Sequence, residues 1–278
     1  MILKKIIKNL VPYRIKGLFV NFTVSLKGNQ FCFFYNLFSY LFFKSQNKLT
    51  FSNERYFIEE RGDKIWSFSH PDRGLWYLKG VKDRGKKLQK DYGIHKLKFK
   101  SDDIVIDCGA DVGDFYAGFD TDVRYIGIEP SPINYPNLKH NAKNNKTYNV
   151  ALWKNSQKEI SFFESNITKK KSITKVVNQT REIKVKTMTL DQIIDDANDK
   201  IKLIKIEGTG SEPEILEGLK RNIEKVEYIT VDASFERGVE KEHTVNQCAN
   251  YLIQNNFEMI DFLFKKVCIL FRNKNYHN

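Results

Sequence analysis

The spacing of apolar residues changes near residue 100 of the 278-residue chain. From Asp102 onward, short apolar runs close on acid or glycine: "IVID" from Ile104, "RYIGIEP" from Arg124, "IKLIKIE" from Ile201 and "VEYITVD" from Val226. Runs without polar alternation fit strands covered on both faces, as in parallel sheets. Helix signals stand between them. Ser131-Pro132 opens one helix, Thr189 caps "TLDQIIDDAND", and Ser211 starts "SEPEILEGLKRNIE", whose first-turn glutamates suit the helix dipole. "YNVAL", "EISFFE" and "EIKVKTM" read as further strands, and a helix is expected near 241–256. "FEMIDFLF" and "KVCILF" read as an antiparallel hairpin turning at Lys265-Lys266. Strands alternating with helices predict an open α/β sheet of about seven mostly parallel strands, with helices on both faces and one antiparallel strand from the terminal hairpin.

The first 93 residues read as a separate helical and hairpin extension, leaving 94–278 as the α/β domain. "LTFSNERYFIEER" and "KIWSFSH" alternate as the two strands of a small hairpin with Gly62-Asp63 at its turn. In "DRGLWYLKGVKDRGKKLQKDYGI", Leu75, Leu78, Val81 and Leu88 keep helical spacing on a basic surface, and Gly93 ends the helix. The apolar run "FCFFYNLFSYLFF" spans Phe31–Phe43, 13 residues, where a membrane-spanning helix needs about 20. It is either a buried helix or, with the basic segment before it, part of a helix pair lying on the inner face of a membrane. The N-terminal segment lacks the continuous apolar stretch and cleavage site of a signal peptide, so a cytoplasmic protein is expected, peripheral at the membrane in the second case.

Cys32, Cys108, Cys248 and Cys268 are scattered without C-x-x-C spacing and read as buried reduced thiols. No cluster has metal-ligand spacing, so no metal is expected. The net charge of +12 fits either a polyanionic partner or a Lys-rich composition bias. Lysine far outnumbers arginine, the residue that bidentate phosphate recognition prefers, which favours the composition bias and makes nucleic acid the less expected partner.

The stretch "DIVIDCGADVGDFYAGF" carries the chemistry. A strand ends in Asp107, and a turn follows with Gly109, Ala110 and Gly113. Dinucleotide sites place a middle glycine where Asp111 and its neighbours stand, so that pyrophosphate can approach the backbone. Acid at Asp107 and Asp111 would repel phosphate. Glu129 follows Asp107 by 22 residues, the place of a carboxylate that accepts ribose hydroxyls. A sulfonium-bearing nucleoside without phosphate, S-adenosylmethionine, fits both features; a tight glycine turn without a ligand is the alternative.

Several motifs in order then resemble the FkbM-type methyltransferases: "VIDCGADVGDF", "YIGIEPSPINYPNLKHNAKNN", "NVALWKNSQKEISFF", "VKTMTLDQII", "LIKIEGTGSEPEILEGL" and "YITVDASFERGVEKEHT". The resemblance covers about residues 55–265. It implies a Rossmann-like sheet, S-adenosylmethionine as donor and an oxygen acceptor on a sugar or glycan precursor. It places Asp107, Gly109, Ala110 and Gly113 at the methionine end, Glu129 on the ribose, and Asn149, Val150 and Ala151 near adenine. Lys205, Glu207 and Asp232 then face the acceptor, with Asp232, Glu207, Glu236 and His243 as candidate bases. Lys205 and Glu207 also read as a structural ion pair, and His243 as an exposed neighbour of a helix cap. Three departures stand out: Asp111 and Asp114 replace the usual Asn and Glu, the helix after the glycine turn has room for little more than a turn, and Thr209 replaces the family's second glutamate. A nucleic-acid methyltransferase and a non-catalytic binding protein of the same fold are the competing readings.

Overall fold

The computed structural model describes residues 26–43, 47–60, 63–156, 159–164, 171–172, 181–197 and 199–276. The basic N-terminal segment, most of the "TKKKSITK" loop, Gly62 and His277 lie outside the described residues. The chain divides into two units between Arg84 and Gly85.

In the first unit, helix α1 (Gly28–Phe38) continues into a wider turn at Ser39–Phe43. Strands β1 (Lys48–Ser52), β2 (Arg55–Glu60) and β3 (Asp63–Phe68) form a meander in that order. The stretch read from sequence as one strand is therefore two. Asn53 and Glu54 both have positive φ, 49° and 59°, the signature of a two-residue turn whose twist matches an antiparallel pair. No glycine announces it. The core is aromatic: Phe31 meets Tyr56 edge-on with centroids 5.6 Å apart, Tyr56 stacks on Phe68 at 5.6 Å, and Phe68 meets Tyr77 at 5.2 Å.

The helix expected over "DRGLWYLKGVKDRGKKLQKDYGI" is broken at Gly80, whose φ is +107°. A 3-10 turn covers Pro71–Tyr77, and α2 (Val81–Asp91) follows. Gly93, at φ +75°, ends the helical segment.

The second unit is built on a seven-stranded sheet. Its strands are β4 (Ile104–Cys108), β5 (Arg124–Ile128), β6 (Lys146–Tyr148), β12 (Ile201–Ile206), β13 (Val226–Asp232), β14 (Phe257–Leu263) and β15 (Cys268–Asn273). Their order is β14-β15-β13-β12-β4-β5-β6. β15 runs antiparallel between β13 and β14, and the other pairings are parallel. Both faces are covered. Ile104, Ile106 and Cys108 of β4 face one core with Ile204 and Ile206, while Val105 and Leu203 face the other with Tyr92, Phe115 and Leu138. Two-sided burial explains why these strands read as unbroken apolar runs.

Three segments read as strands fall elsewhere. "YNVAL" breaks into β6 and β7 (Ala151–Leu152), and β7 pairs with β11 (Thr187–Met188). β8 (Ile160–Glu164), β9 (Lys171–Ser172) and β10 (Arg181–Val185) make a separate antiparallel sheet. The helices are α3 (Tyr135–Asn141), α4 (Leu190–Ala197), α5 (Glu212–Glu217) and α6 (Val245–Gln254). At the start of α4, Gln192 N–H donates to Thr189 Oγ1 (3.2 Å) and Thr189 N–H donates back to Gln192 Oε1 (2.9 Å), a reciprocal capping box. Ser211 begins α5 without capping it; its hydroxyl donates to the Gly208 carbonyl at 2.6 Å.

Candidate active site

The carboxyl ends of β4, β5, β12 and β13 lie side by side, the edge at which open α/β sheets bind ligands. Parallel register puts Lys205 of β12 level with Asp107 of β4, and Ile206 level with Val231 of β13. Glu207 and Asp232 therefore emerge as neighbours.

The side chains form an alternating row of charge. Lys205 Nζ lies 2.9 Å from Asp107 Oδ1 and 3.0 Å from Glu207 Oε2, and donates to the Gly109 carbonyl at 2.9 Å. Lys266 Nζ lies 3.2 Å from Glu207 Oε1 and 2.8 Å from Asp232 Oδ2. The row reads Asp107, Lys205, Glu207, Lys266, Asp232. Lys266 also sits 3.9 Å from the Tyr92 ring centroid and donates to the Tyr92 hydroxyl.

This packing sets the protonation states. Burial raises the Asp107 carboxyl, opposed by Lys205 and by the Tyr125 hydroxyl, which donates to Oδ2 at 2.8 Å. Burial works to raise Glu207 too, but Lys205 and Lys266 outweigh it and hold that carboxyl well below its usual range. Both lysines stay cationic: burial disfavours their charge, and the flanking carboxylates more than offset it. Tyr92 is pushed far up, by burial first and then by Glu207 and Asp232.

The glycine turn sits at the other end of the row. Gly109 and Ala110 donate their N–H groups to the Ile128 carbonyl at 3.0 and 2.9 Å. A Cβ on Gly109 would stand 2.0 Å from the Glu207 carbonyl oxygen, at φ +75°, so only glycine lets the two loops approach this closely. Gly113 has φ +91°. Glu129, buried beyond β5, accepts the N–H of Asp111 on Oε2 (2.8 Å) and that of Ser131 on Oε1 (2.9 Å). Asn149 is exposed beside it and donates to the Glu129 carbonyl at 2.8 Å, and Ala151 is buried at the start of β7. After Gly113 the chain makes one short 3-10 turn, Tyr116–Gly118, as the spacing implied. Gly118 packs directly on Gly85 of α2: a Cβ on Gly85 would stand 2.2 Å from the Gly118 nitrogen.

A methyltransferase FkbM domain matches residues 107–277, which begins at Asp107 and takes in the whole row, while Tyr92 lies before it. The chain belongs to the FkbM methyltransferase family. The methyl donor of the family is S-adenosylmethionine. No curated protein matches in sequence. Solved structures similar to the chain include Aeropyrum pernix fibrillarin with bound S-adenosyl-L-methionine (11% identity over 81% of this chain and 82% of that one, TM-score 0.41). A ribosomal protein L11 methylase from Lactobacillus delbrueckii subsp. bulgaricus is another (10% identity, 70% and 79%, TM-score 0.37). The N-terminal domain of EvdMO1 with S-adenosylhomocysteine is a third (10% identity, 78% and 90%, TM-score 0.38).

The residues of this FkbM site fit that donor. The row holds three carboxylates against two ammonium groups, a net single negative charge that a sulfonium complements. Glu129 is a buried carboxylate fixed by two backbone N–H groups, able to accept ribose hydroxyls as well. Asp107 is fully buried, so it bears on the site through Lys205.

The remaining candidates are scattered. Glu236 is half-buried in the loop after β13, and His243 meets Phe235 edge-on with ring centroids 5.4 Å apart. Phe119 packs against Phe99 and Phe115, and Tyr116 against Tyr125. Arg237, in the "FERG" segment, clamps the loop before α5: it donates to the Gly210 carbonyl (2.6 Å) and forks onto both oxygens of Glu214 (2.9 and 2.6 Å). Thr209 lies in this loop with φ +51°. Lys266 and Tyr92 are site residues that the sequence motifs do not mark as such. The signal for Lys266 was the Lys265-Lys266 turn itself. Once β15 is known to run antiparallel beside β13, with Asp232 paired to Cys268, the turn before β15 must project past the end of β13.

Proposed function

We infer that the protein transfers the methyl group of S-adenosylmethionine to a hydroxyl of a sugar or glycan precursor. When bound, the donor supplies an electrophilic methyl on a sulfonium. The hydroxyl oxygen forms the new carbon–oxygen bond as the carbon–sulfur bond breaks toward sulfur, and the hydroxyl proton passes to a carboxylate. Asp232 is the group we assign to that proton. Glu207, held far down by two lysines, is too weak a base near neutral pH; its part-exposed carboxylate (36%) orients the acceptor by hydrogen bonding. Lys205 and Lys266 are positioning residues that fix the two carboxylates. A positioned base is worth roughly 10²–10⁴-fold in rate.

The observation that carries the sugar reading is the setting of Asp232 and Lys266. Phe235 follows Asp232 by three residues, Phe264 precedes Lys266 by two, and both rings are exposed, Phe264 at 85%. Exposed aromatic side chains within three residues of the Asp232–Lys266 pair in sequence supply the apolar face that packs on a pyranose, and the carboxylates supply acceptors for its hydroxyls.

The experiment incubates the full chain with S-adenosylmethionine and panels of nucleotide sugars, oligosaccharides and RNA or DNA oligomers, and identifies the methylated atom by mass spectrometry. A methyl ether on a sugar acceptor, lost in Asp232→Asn with donor affinity unchanged, supports the reading. Methylation of nucleic acid would overturn the acceptor class. Donor binding without turnover on any acceptor would favour a binding protein, with Thr209 at the family's glutamate position as its mark.

A further inference from the structure

Helix α1 and the turn that follows it carry apolar side chains on two opposite sides, with Asn29, Gln30 and Asn36 as the polar residues of the helix. Phe31, Cys32, Tyr35 and Phe38 are buried in the first unit. The opposite stripe, Phe33, Leu37, Tyr40 and Leu41, follows i, i+4, i+7, i+8 spacing and is exposed, from 44% at Leu37 to 72% at Tyr40. Four large apolar side chains exposed side by side mark a surface that meets a partner or a membrane, so this second stripe calls for an occupant.

Charge identifies it. The first 53 residues contain eight lysine and arginine side chains and no aspartate or glutamate, so eight of the chain's twelve net positive charges lie in that fifth of the sequence. Among the described residues, no helix is long and apolar enough to cross a membrane. We propose that the first unit docks on an anionic phospholipid bilayer, with Phe33, Leu37, Tyr40 and Leu41 entering the headgroup boundary and the net positive charge of this stretch of sequence drawing it to the lipid phosphates. Aromatic and leucine side chains in a basic, acid-free setting are the composition of helices that lie in a membrane interface. A second copy of the chain fits worse, because pairing the stripe with itself brings two strongly cationic segments together. A nucleic acid would leave the apolar stripe without a partner.

The test is cosedimentation of the full chain with vesicles of phosphatidylcholine alone or mixed with phosphatidylglycerol, at low and high salt. The comparison variant is Phe33→Ser/Leu37→Ser/Leu41→Ser. These side chains point outward, and circular dichroism with S-adenosylmethionine titration checks that the fold is kept. The expected result is binding to the mixed vesicles alone, weakened by salt, and at least about tenfold weaker in the variant. Equal partitioning of variant and wild type would overturn the proposal, as would failure of the wild type to bind the mixed vesicles. A wild-type dimer that the variant converts to monomer, without vesicle binding, would assign the stripe to a second copy and equally overturn it.

Discussion

Glu212 is buried at the start of α5, where its carboxylate staples the loop that carries Thr209. Oε1 accepts the N–H groups of Gly208 and Gly210, both at 2.9 Å, and Oε2 accepts the Thr244 hydroxyl at 3.0 Å. Burial pushes its carboxyl up from 4.5 to about 7, against the lowering effect of these donors and with a further push from Asp232. A group raised on folding stabilises the native state most fully below its unfolded value, and that contribution is lost as pH rises through the folded value. Between pH 5 and pH 8 the loss works out at about 2.5 kcal/mol, taking about 1.4 kcal/mol per tenfold change in proton concentration. Glu212→Gln keeps an oxygen for the two glycine N–H groups and removes the charge. Urea unfolding followed by circular dichroism, on both proteins at both pH values, isolates the effect, because every other titrating group is common to the pair. Relative to wild type, the glutamine variant is expected to gain about 2–3 kcal/mol on going from pH 5 to pH 8. A stability difference that is the same at both pH values would refute the assignment of Glu212 as the titrating group.

Four further outcomes follow from the geometry. Glu129→Gln is expected to weaken S-adenosylhomocysteine binding at least about tenfold by calorimetry, since one ribose hydroxyl loses a charged acceptor; unchanged affinity would remove Glu129 from the nucleoside site. Gly109→Ala forces a Cβ to 2.0 Å from the Glu207 carbonyl oxygen at φ +75° and is expected to cost about 3 kcal/mol or more in chemical denaturation. Asp191→Ala orphans the N–H groups of Lys220, Arg221 and Asn222, which the carboxylate now accepts at 3.1, 3.1 and 3.0 Å; a loss of about 2–4 kcal/mol is expected, with donor affinity intact. Thr189→Ala removes half of the capping box at α4 and is expected to cost about 1 kcal/mol by the same assay.

The strands that build the site were legible because each is covered on both faces, so burial alone writes the pattern. Asp107, Glu129, Lys205, Glu207 and Asp232 could be placed at strand ends for the same reason: each is the polar residue that closes or interrupts an apolar run. The capping box at Thr189 and Gln192 was half visible, since its threonine marks a helix start whatever the partner does. The turn at Asn53-Glu54 was not legible, because two non-glycine residues take positive φ there and nothing in their chemistry demands it. β8 and β10 carry strand-like alternation, but periodicity says only that a segment is extended and leaves open which sheet it joins.

Lys266 and Tyr92 expose the deeper limit. Neither belongs to a strand-end motif, and 174 residues separate them in sequence. They meet because β15 inserts beside β13, and because the Thr230 hydroxyl of β13 donates to the Tyr92 carbonyl at 2.8 Å. Strand order is a property of the whole sheet, and a local pattern does not contain it. Yet the charges make the insertion consequential. Without Lys266, the Glu207 and Asp232 carboxylates would share the end of the sheet with Lys205 as the one cation of the row, and mutual repulsion would raise the proton affinity of one of them. With it, every carboxylate in the row touches an ammonium group. The antiparallel strand thus does more than finish the sheet: it delivers the second cation, which stands between the two acids and touches both.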